Sequence, residues 1–145
     1  MSSTPLPTAP ASALVFVVDD EQGNLDLVAR TLRATCQTRT FVESRSMLEA
    51  AEKDAPDLVL VDFRMPNTTG VEVLRALRQK GINCPALLVT GFPDMEEVKR
   101  ARDEGLIFRV ITKPWSPPAL VANVTLALSL ARLDKTMETI GKAER

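Results

Sequence analysis

The chain has 145 residues, 45% of them hydrophobic and 26% charged, with a formal net charge of -1. That is enough for one domain with a real core, and the balanced charge argues against a bulk nucleic-acid or anionic-membrane surface. It contains no His and no Tyr, which excludes a Ser-His-Asp hydrolase, a His-ligated metalloenzyme and a phosphohistidine carrier within this chain.

Residues 1–12 are Pro, Ser, Thr and Ala without periodicity and read as a disordered leader. From Ala13 onward, short apolar runs alternate with helical patterns. The first run, 13–18, ends at Asp19 and Asp20. A helix marked by Leu25, Val28 and Leu32 follows. The polar-interleaved stretch Thr38–Val42 reads as an edge strand, and Ser44 to Lys53 as a shorter helix ended by Ala55 and Pro56. The run 57–63 carries Asp62 near its end, with Arg64, Met65 and Pro66 just beyond. Val71, Leu74 and Leu77 mark a helix that Gly81 should stop. The run 85–90 ends at Thr90. Pro93 and Asp94 should open a heavily charged helix, marked by Met95 and Val98 and closed at Gly105. The last run, 106–112, leads into Lys113 and Pro114. Continuous apolar runs suit parallel strands covered on both faces. The alternation therefore predicts an α/β, doubly wound (βα)5, flavodoxin-like fold with a five-stranded parallel sheet.

From Pro117 to Arg145 the pattern is helical and longer than a closing helix needs. Leu120, Val124, Ala127, Leu128 and Ala131 form a stripe that should dock on the sheet. Ala119, Asn123, Leu126, Leu130, Leu133, Met137 and Ile140 form a second stripe, a heptad seam with Asn123 as its polar member. The expected division is a leader over 1–12, a folded domain over 13–131 and a helical extension or linker over 132–145. Cys36 and Cys84 form no motif and read as buried or half-buried free thiols. No apolar run approaches the length needed to span a bilayer, and the N-terminus lacks the pattern of a signal peptide. The cytoplasm is the expected location.

In doubly wound sheets, sites form outside the carboxyl ends of the strands, near the point where strand order reverses. Asp19, Asp20, Asp62, Thr90 and Lys113 all fall at such ends. Carboxylates about 4 Å apart, at an effective dielectric near 20, repel by roughly 4 kcal/mol per pair. Either some protonate or a cation joins them. Hard oxygen donors of this kind suit Mg²⁺. With the charge so offset, Asp62 stays ionised and can act as a nucleophile toward phosphorus, with Lys113 and the Thr90 hydroxyl meeting the transferring oxygens. Taken separately, Asp20 or Asp62 reads as a cap or turn residue. Together with Lys113 and Thr90, the site reading wins. Glu21 reads as a solvated turn residue, and Phe108 and Trp115 as covers of a sheet end.

Asp19 and Asp20 after the first strand, Asp62 with Met65 and Pro66 after the third, Thr90 and Gly91 after the fourth, and Lys113 and Pro114 after the fifth resemble the receiver domain of bacterial response regulators. The resemblance covers about Leu14 to Ala131. It implies transfer of a phosphoryl group to Asp62 from a histidine kinase or a phosphotransfer protein. It also implies Mg²⁺ held by Asp20, Asp62 and the Arg64 backbone carbonyl, with Asp19 acting mostly through water. Thr90 would move to the phosphoryl group, Lys113 would pair with it, and Lys113-Pro114 would be cis. The implied partners are a downstream protein or a fused output domain, with homodimerisation through the fourth- and fifth-helix face or the C-terminal helix.

The departures from the family pattern concern readout and lifetime. The family's switch aromatic, three residues before the Lys, is here Val110; Phe108 and Trp115 stand at other offsets. Coupling through the charged fourth helix is the expected alternative. Arg64 and Phe92, each two residues after a key side chain, flank the path of a hydrolytic water, and their bulk suggests slow self-dephosphorylation. Two other readings were weighed. An Asp-nucleophile phosphatase of the haloacid-dehalogenase type wants a second Asp where Arg64 stands. A pseudo-receiver that binds partners without phosphorylation has only Val110 in its favour.

Overall fold

The computed structural model describes the backbone over residues 13–143 and side chains through residue 133. The expected leader therefore lies outside the described residues, as do the side chains of Met137 and Ile140. Seven strands and five helices follow one another among the described residues: β1 (Leu14–Val18), α1 (Gln22–Leu32), β2 (Gln37–Phe41), α2 (Ser44–Lys53), β3 (Leu58–Asp62), β4 (Arg64–Met65), β5 (Thr68–Thr69), α3 (Gly70–Gln79), β6 (Ala86–Thr90), α4 (Glu96–Asp103), β7 (Arg109–Thr112) and α5 (Pro117–Ala143). Five of them form one parallel sheet in the order β2-β1-β3-β6-β7. The α/β class, the winding and the strand count are those expected from the sequence.

Side chains alternate across each strand, so every central strand feeds two cores. Phe16, Val18, Val59, Val61 and Leu88 pack with Met47 of α2, Leu74 of α3 and Val98 of α4. Val15, Val17, Leu58, Leu60 and Leu87 pack on the other face with Leu25 of α1 and Leu120, Val124 and Leu128 of α5. Continuous apolar runs were needed because both faces are covered. β2 pairs only with β1 and keeps polar residues, as an edge strand should.

Boundaries moved where local chemistry overrode the pattern. The run expected over 106–112 becomes strand only at Arg109. Gly105, at φ +77°, ends the α4 turn, and the Leu106 N–H closes back on Ala101 O, so Leu106 and Ile107 fill the core before the ladder begins. Helix α4 starts at Glu96, later than Pro93 and Asp94 suggested, with Met95 as its extended N-cap residue. Ser116 caps α5, its Oγ accepting the Ala119 N–H at 3.2 Å, and Pro117 occupies the first helical position. The 27 residues of α5 span about 40 Å at the α-helical rise. Its first stripe docks on the sheet as expected, while Leu126, Leu130 and Leu133 stay exposed. Cys36 and Cys84 are buried and form no disulfide; burial pushes the Cys36 thiol up to about 11.

Candidate functional site

Strand order reverses between β1 and β3, where the chain leaves toward β2 on one side and β6 on the other. A crevice opens there above the strand ends. Asp19 and Asp20 follow β1, Asp62 ends β3, Thr90 ends β6 and Lys113 follows β7. The carboxylate oxygens of Asp19, Asp20 and Asp62 all lie within 4.8 Å of one another. Among the described residues, Asp62 at 6% exposure and Thr90 at 3% are the polar side chains that the fold buries. The cleft holds about 390 Å³, and its lining includes the polar Asp19, Asn24, Asp62 and Lys113 and the apolar Leu27 and Trp115.

The Lys113 ammonium forms an ion pair with Asp62 Oδ1. That oxygen is buried and lacks a well-directed hydrogen bond, so the contact is one of charge. The Arg64 backbone N–H also favours the charged form of the Asp62 carboxylate. Burial nonetheless holds the Asp62 pKa above the ordinary 3.8; Lys113 and the Arg64 N–H oppose the shift, and the Asp20 charge adds to it. Asp19 is raised too, mainly by burial, against the hydrogen bond from the Glu21 N–H. The fold thus holds carboxylates where ionisation is costly. A converging set of hard oxygen donors with one buried, poorly bonded oxygen fits a small divalent cation such as Mg²⁺.

Asn24 was not singled out from the sequence. Its side-chain amide donates to Asp19 Oδ2 and Glu21 Oε2, both at 3.2 Å, and holds Asp19 at the cleft. Asp19 Oδ1 accepts the Glu21 N–H at 2.9 Å. Glu21 is exposed and stands at the N-cap position of α1, the turn role expected of it. A polar residue in the first turn after the acids was the available signal.

Thr90 is tied to its own loop. Its Oγ1 accepts the Phe92 N–H at 3.0 Å, and its carbonyl accepts the Lys113 N–H at 2.8 Å. The Lys113-Pro114 bond is cis. Val110 is half-buried and packs against the core on the α2–α3–α4 face. Phe108 and Trp115 pack against the opposite core, as covers.

An antiparallel hairpin of β4 and β5 follows Asp62 directly, an element absent from the sequence reading. Asn67 turns it at φ 69°. Gly70 then returns the chain so close to β3 that a Cβ would lie 2.6 Å from Asp62 O and 2.7 Å from Leu88 Cδ1. No other residue fits there. The hairpin touches the α4 region twice: the Arg64 guanidinium lies 5.1 Å over the Phe92 ring, and Thr69 Oγ1 bonds Glu97 Oε1 at 3.3 Å. Thr69 also accepts the Glu72 N–H, forming a capping box at the start of α3.

Acids at a switch point, facing a Lys from the last strand of a doubly wound sheet, define the class to which the comparisons also lead. Residues 15–125 match the response regulator receiver domain. The chain belongs to that family. It is 31% identical over 127 residues to the hydrogenase transcriptional regulatory protein HoxA of Bradyrhizobium diazoefficiens, covering 88% of this chain and 26% of HoxA. The chain thus spans about a quarter of the length of several curated relatives that it matches and about half of TdiR of Thauera aromatica. Among solved structures, a chain described as adenylate cyclase from Rhodopirellula baltica superposes with a TM-score of 0.84 at 26% identity, covering 90% of this chain and 98% of that one. The chemotaxis protein CheY4 of Vibrio cholerae superposes with a TM-score of 0.70 at 27% identity, covering 79% of this chain and 97% of that one. Among the described residues, no helix is long and apolar enough to cross a membrane.

Proposed function

We propose that the chain is a phosphorylation-driven signalling switch, with its receiver domain over 13–131 and a helical extension over 132–145. An Asp62 carboxylate oxygen attacks the phosphorus of a phosphohistidine on a histidine kinase or phosphotransfer protein. The O–P bond forms as the P–N bond breaks, and the imidazole leaves with the electron pair. Asp19, Asp20, Asp62 and the Arg64 backbone carbonyl would hold Mg²⁺, which would supply positive charge to offset that of the phosphoryl oxygens. Asn24 keeps Asp19 turned to the cleft. Lys113 releases Asp62 Oδ1 and pairs with the phosphoryl group, and the Thr90 hydroxyl turns to donate to it. The arrangement works on its own phosphate and is not that of an enzyme with turnover on external substrates.

The observation that carries this reading is the buried Asp62 carboxylate, paired with Lys113 and within 4.8 Å of two further acids. The test is labelling with a small phosphodonor and Mg²⁺. The parent should acquire acid-stable, base-labile phosphate, and Asp62→Asn should not. Equal labelling of both, or none of the parent, defeats the assignment. Arg64 and Phe92 beside the site support slow self-dephosphorylation; a phosphorylated half-life of only seconds would contradict it.

The output lies in a cytoplasmic downstream protein or a fused output domain, a reading supported by HoxA's name as a transcriptional regulator and its greater length. The exposed Leu126, Leu130 and Leu133 support homodimerisation through the C-terminal helix or the α4–α5 face. Truncation after Ala131 should weaken self-association that runs through the C-terminal helix; an unchanged oligomeric state would remove that role from the helix.

A further inference from the structure

Phe92 is 57% exposed, the highest value among the large apolar side chains of the described residues. The Arg64 guanidinium stacks on it, 5.1 Å from the ring centroid. The backbone N–H of Phe92 is the group that donates to Thr90 Oγ1. These contacts form one chain from the residue after Phe63, through an aromatic ring, to the hydroxyl that must turn toward Asp62.

Arg64 is a fixed anchor. Its strand pairs with β5, the Gly70 N–H donates to Phe63 O at 2.8 Å, and Gly70 packs so closely on β3 that an added Cβ would lie 2.6 Å from Asp62 O. Thr69 adds the bond to Glu97. Phe92, by contrast, lies between β6 and α4 outside helix and strand, its carbonyl accepting the Met95 N–H at 3.3 Å. When the Thr90 hydroxyl rotates, the Phe92 N–H loses its acceptor, and Phe92 has less reason to stay under Arg64.

We propose that Arg64 and Phe92 are positioning residues for Thr90: their stack holds the hydroxyl in its resting orientation, and phosphorylation of Asp62 must release it. The device rests on the phosphoacceptor reading above and deepens it. It supplies a link from the acid site to the α4 region that does not pass through Val110. Because the stack favours the resting state, removing it favours the phosphorylated one.

The test is titration of the full chain with beryllofluoride, a phosphoryl mimic, in saturating Mg²⁺. Trp115 is the only tryptophan and lines the cleft, so its fluorescence reports occupancy. Arg64→Ala and Phe92→Ala should each tighten the apparent Kd about two- to fivefold, the effect of losing an exposed cation–π contact. The double variant should match either single one, because both remove the same interaction. Phe92→Tyr, which keeps a ring under the guanidinium, should restore the parent value. Phe92→Ala should leave Mg²⁺ affinity unchanged.

Unchanged or weakened beryllofluoride affinity in both single variants overturns the latch, as do additive effects in the double variant. If the parent takes up no beryllofluoride with Mg²⁺, the phosphoacceptor reading fails and the latch fails with it. If the parent binds, Asp62→Asn does not, and the stack variants behave like the parent, only the latch fails.

Discussion

The carboxyl ends of the strands and the outer face of α5 break the usual partition of residues in opposite directions. At the strand ends, the fold buries Asp62 and Thr90, polar groups that water would solvate better. Along α5, it leaves Leu126, Leu130 and Leu133 exposed, at 38%, 39% and 55%. Each arrangement stabilises the isolated domain less than the ordinary alternative would. A buried carboxylate that Lys113 only partly offsets, with two further acids beside it, suits an added cation. An exposed leucine stripe on a helix that continues past the sheet is suited to a protein surface. The candidate site is therefore electrostatic and local, while the exposed stripe on α5 is apolar.

Substitutions on α5 and at Asp62 should separate these two departures. The largest effect belongs to the docked side of α5. Leu120 is fully buried against the sheet, and Leu120→Ala should cost about 2–5 kcal/mol in chemical denaturation. Next is the acid cluster. Mg²⁺ at a hundredfold excess over its Kd should stabilise the parent by about 2.7 kcal/mol, with much less effect on Asp62→Asn. No gain in the parent would detach the acids from any metal role.

Without metal, Asp62→Asn should be more stable than the parent at neutral pH by roughly 1 kcal/mol, the scale of an under-bonded buried group. The folded-state pKa of Asp62 is raised above its unfolded value of 3.8. The fold therefore favours the protonated acid, and the penalty is full above the raised value. It fades as the pH falls through that value toward 3.8, so the gap between variant and parent should close in that window. A gap that widens on acidification contradicts the assignment. The smallest stability effect is on the exposed stripe: Leu130→Gln should change stability by no more than about 0.5 kcal/mol while weakening self-association. A large stability loss there would show that the stripe belongs to the domain's own core.

Much of the sheet was legible because Val, Leu and Ile runs buried on both faces leave an unbroken apolar signal. The placement of Asp19, Asp20, Asp62, Thr90 and Lys113 was legible by position, since topology alone brings strand ends together. The hairpin of β4 and β5 was not, because two-residue strands carry no periodicity. Gly70 was missed for a related reason. Its need for a missing Cβ arises from Asp62 O and Leu88, which only the fold brings near. Asn24 follows the acids by only a few residues, but its orienting role appears only once α1 turns it back on Asp19. The early start expected for β7 confused core filling with strand pairing: Leu106 and Ile107 are buried without joining the ladder.

The central claim is that Asp62, of the three clustered acids, carries the phosphoryl group. Borohydride reduces an acyl phosphate to an alcohol, so reduction of the phosphorylated protein converts the acceptor aspartate to homoserine, which peptide mass spectrometry can locate. The expected result is homoserine at position 62 alone, dependent on Mg²⁺. Homoserine at Asp19 or Asp20, or phosphorylated protein with no homoserine, would contradict the account.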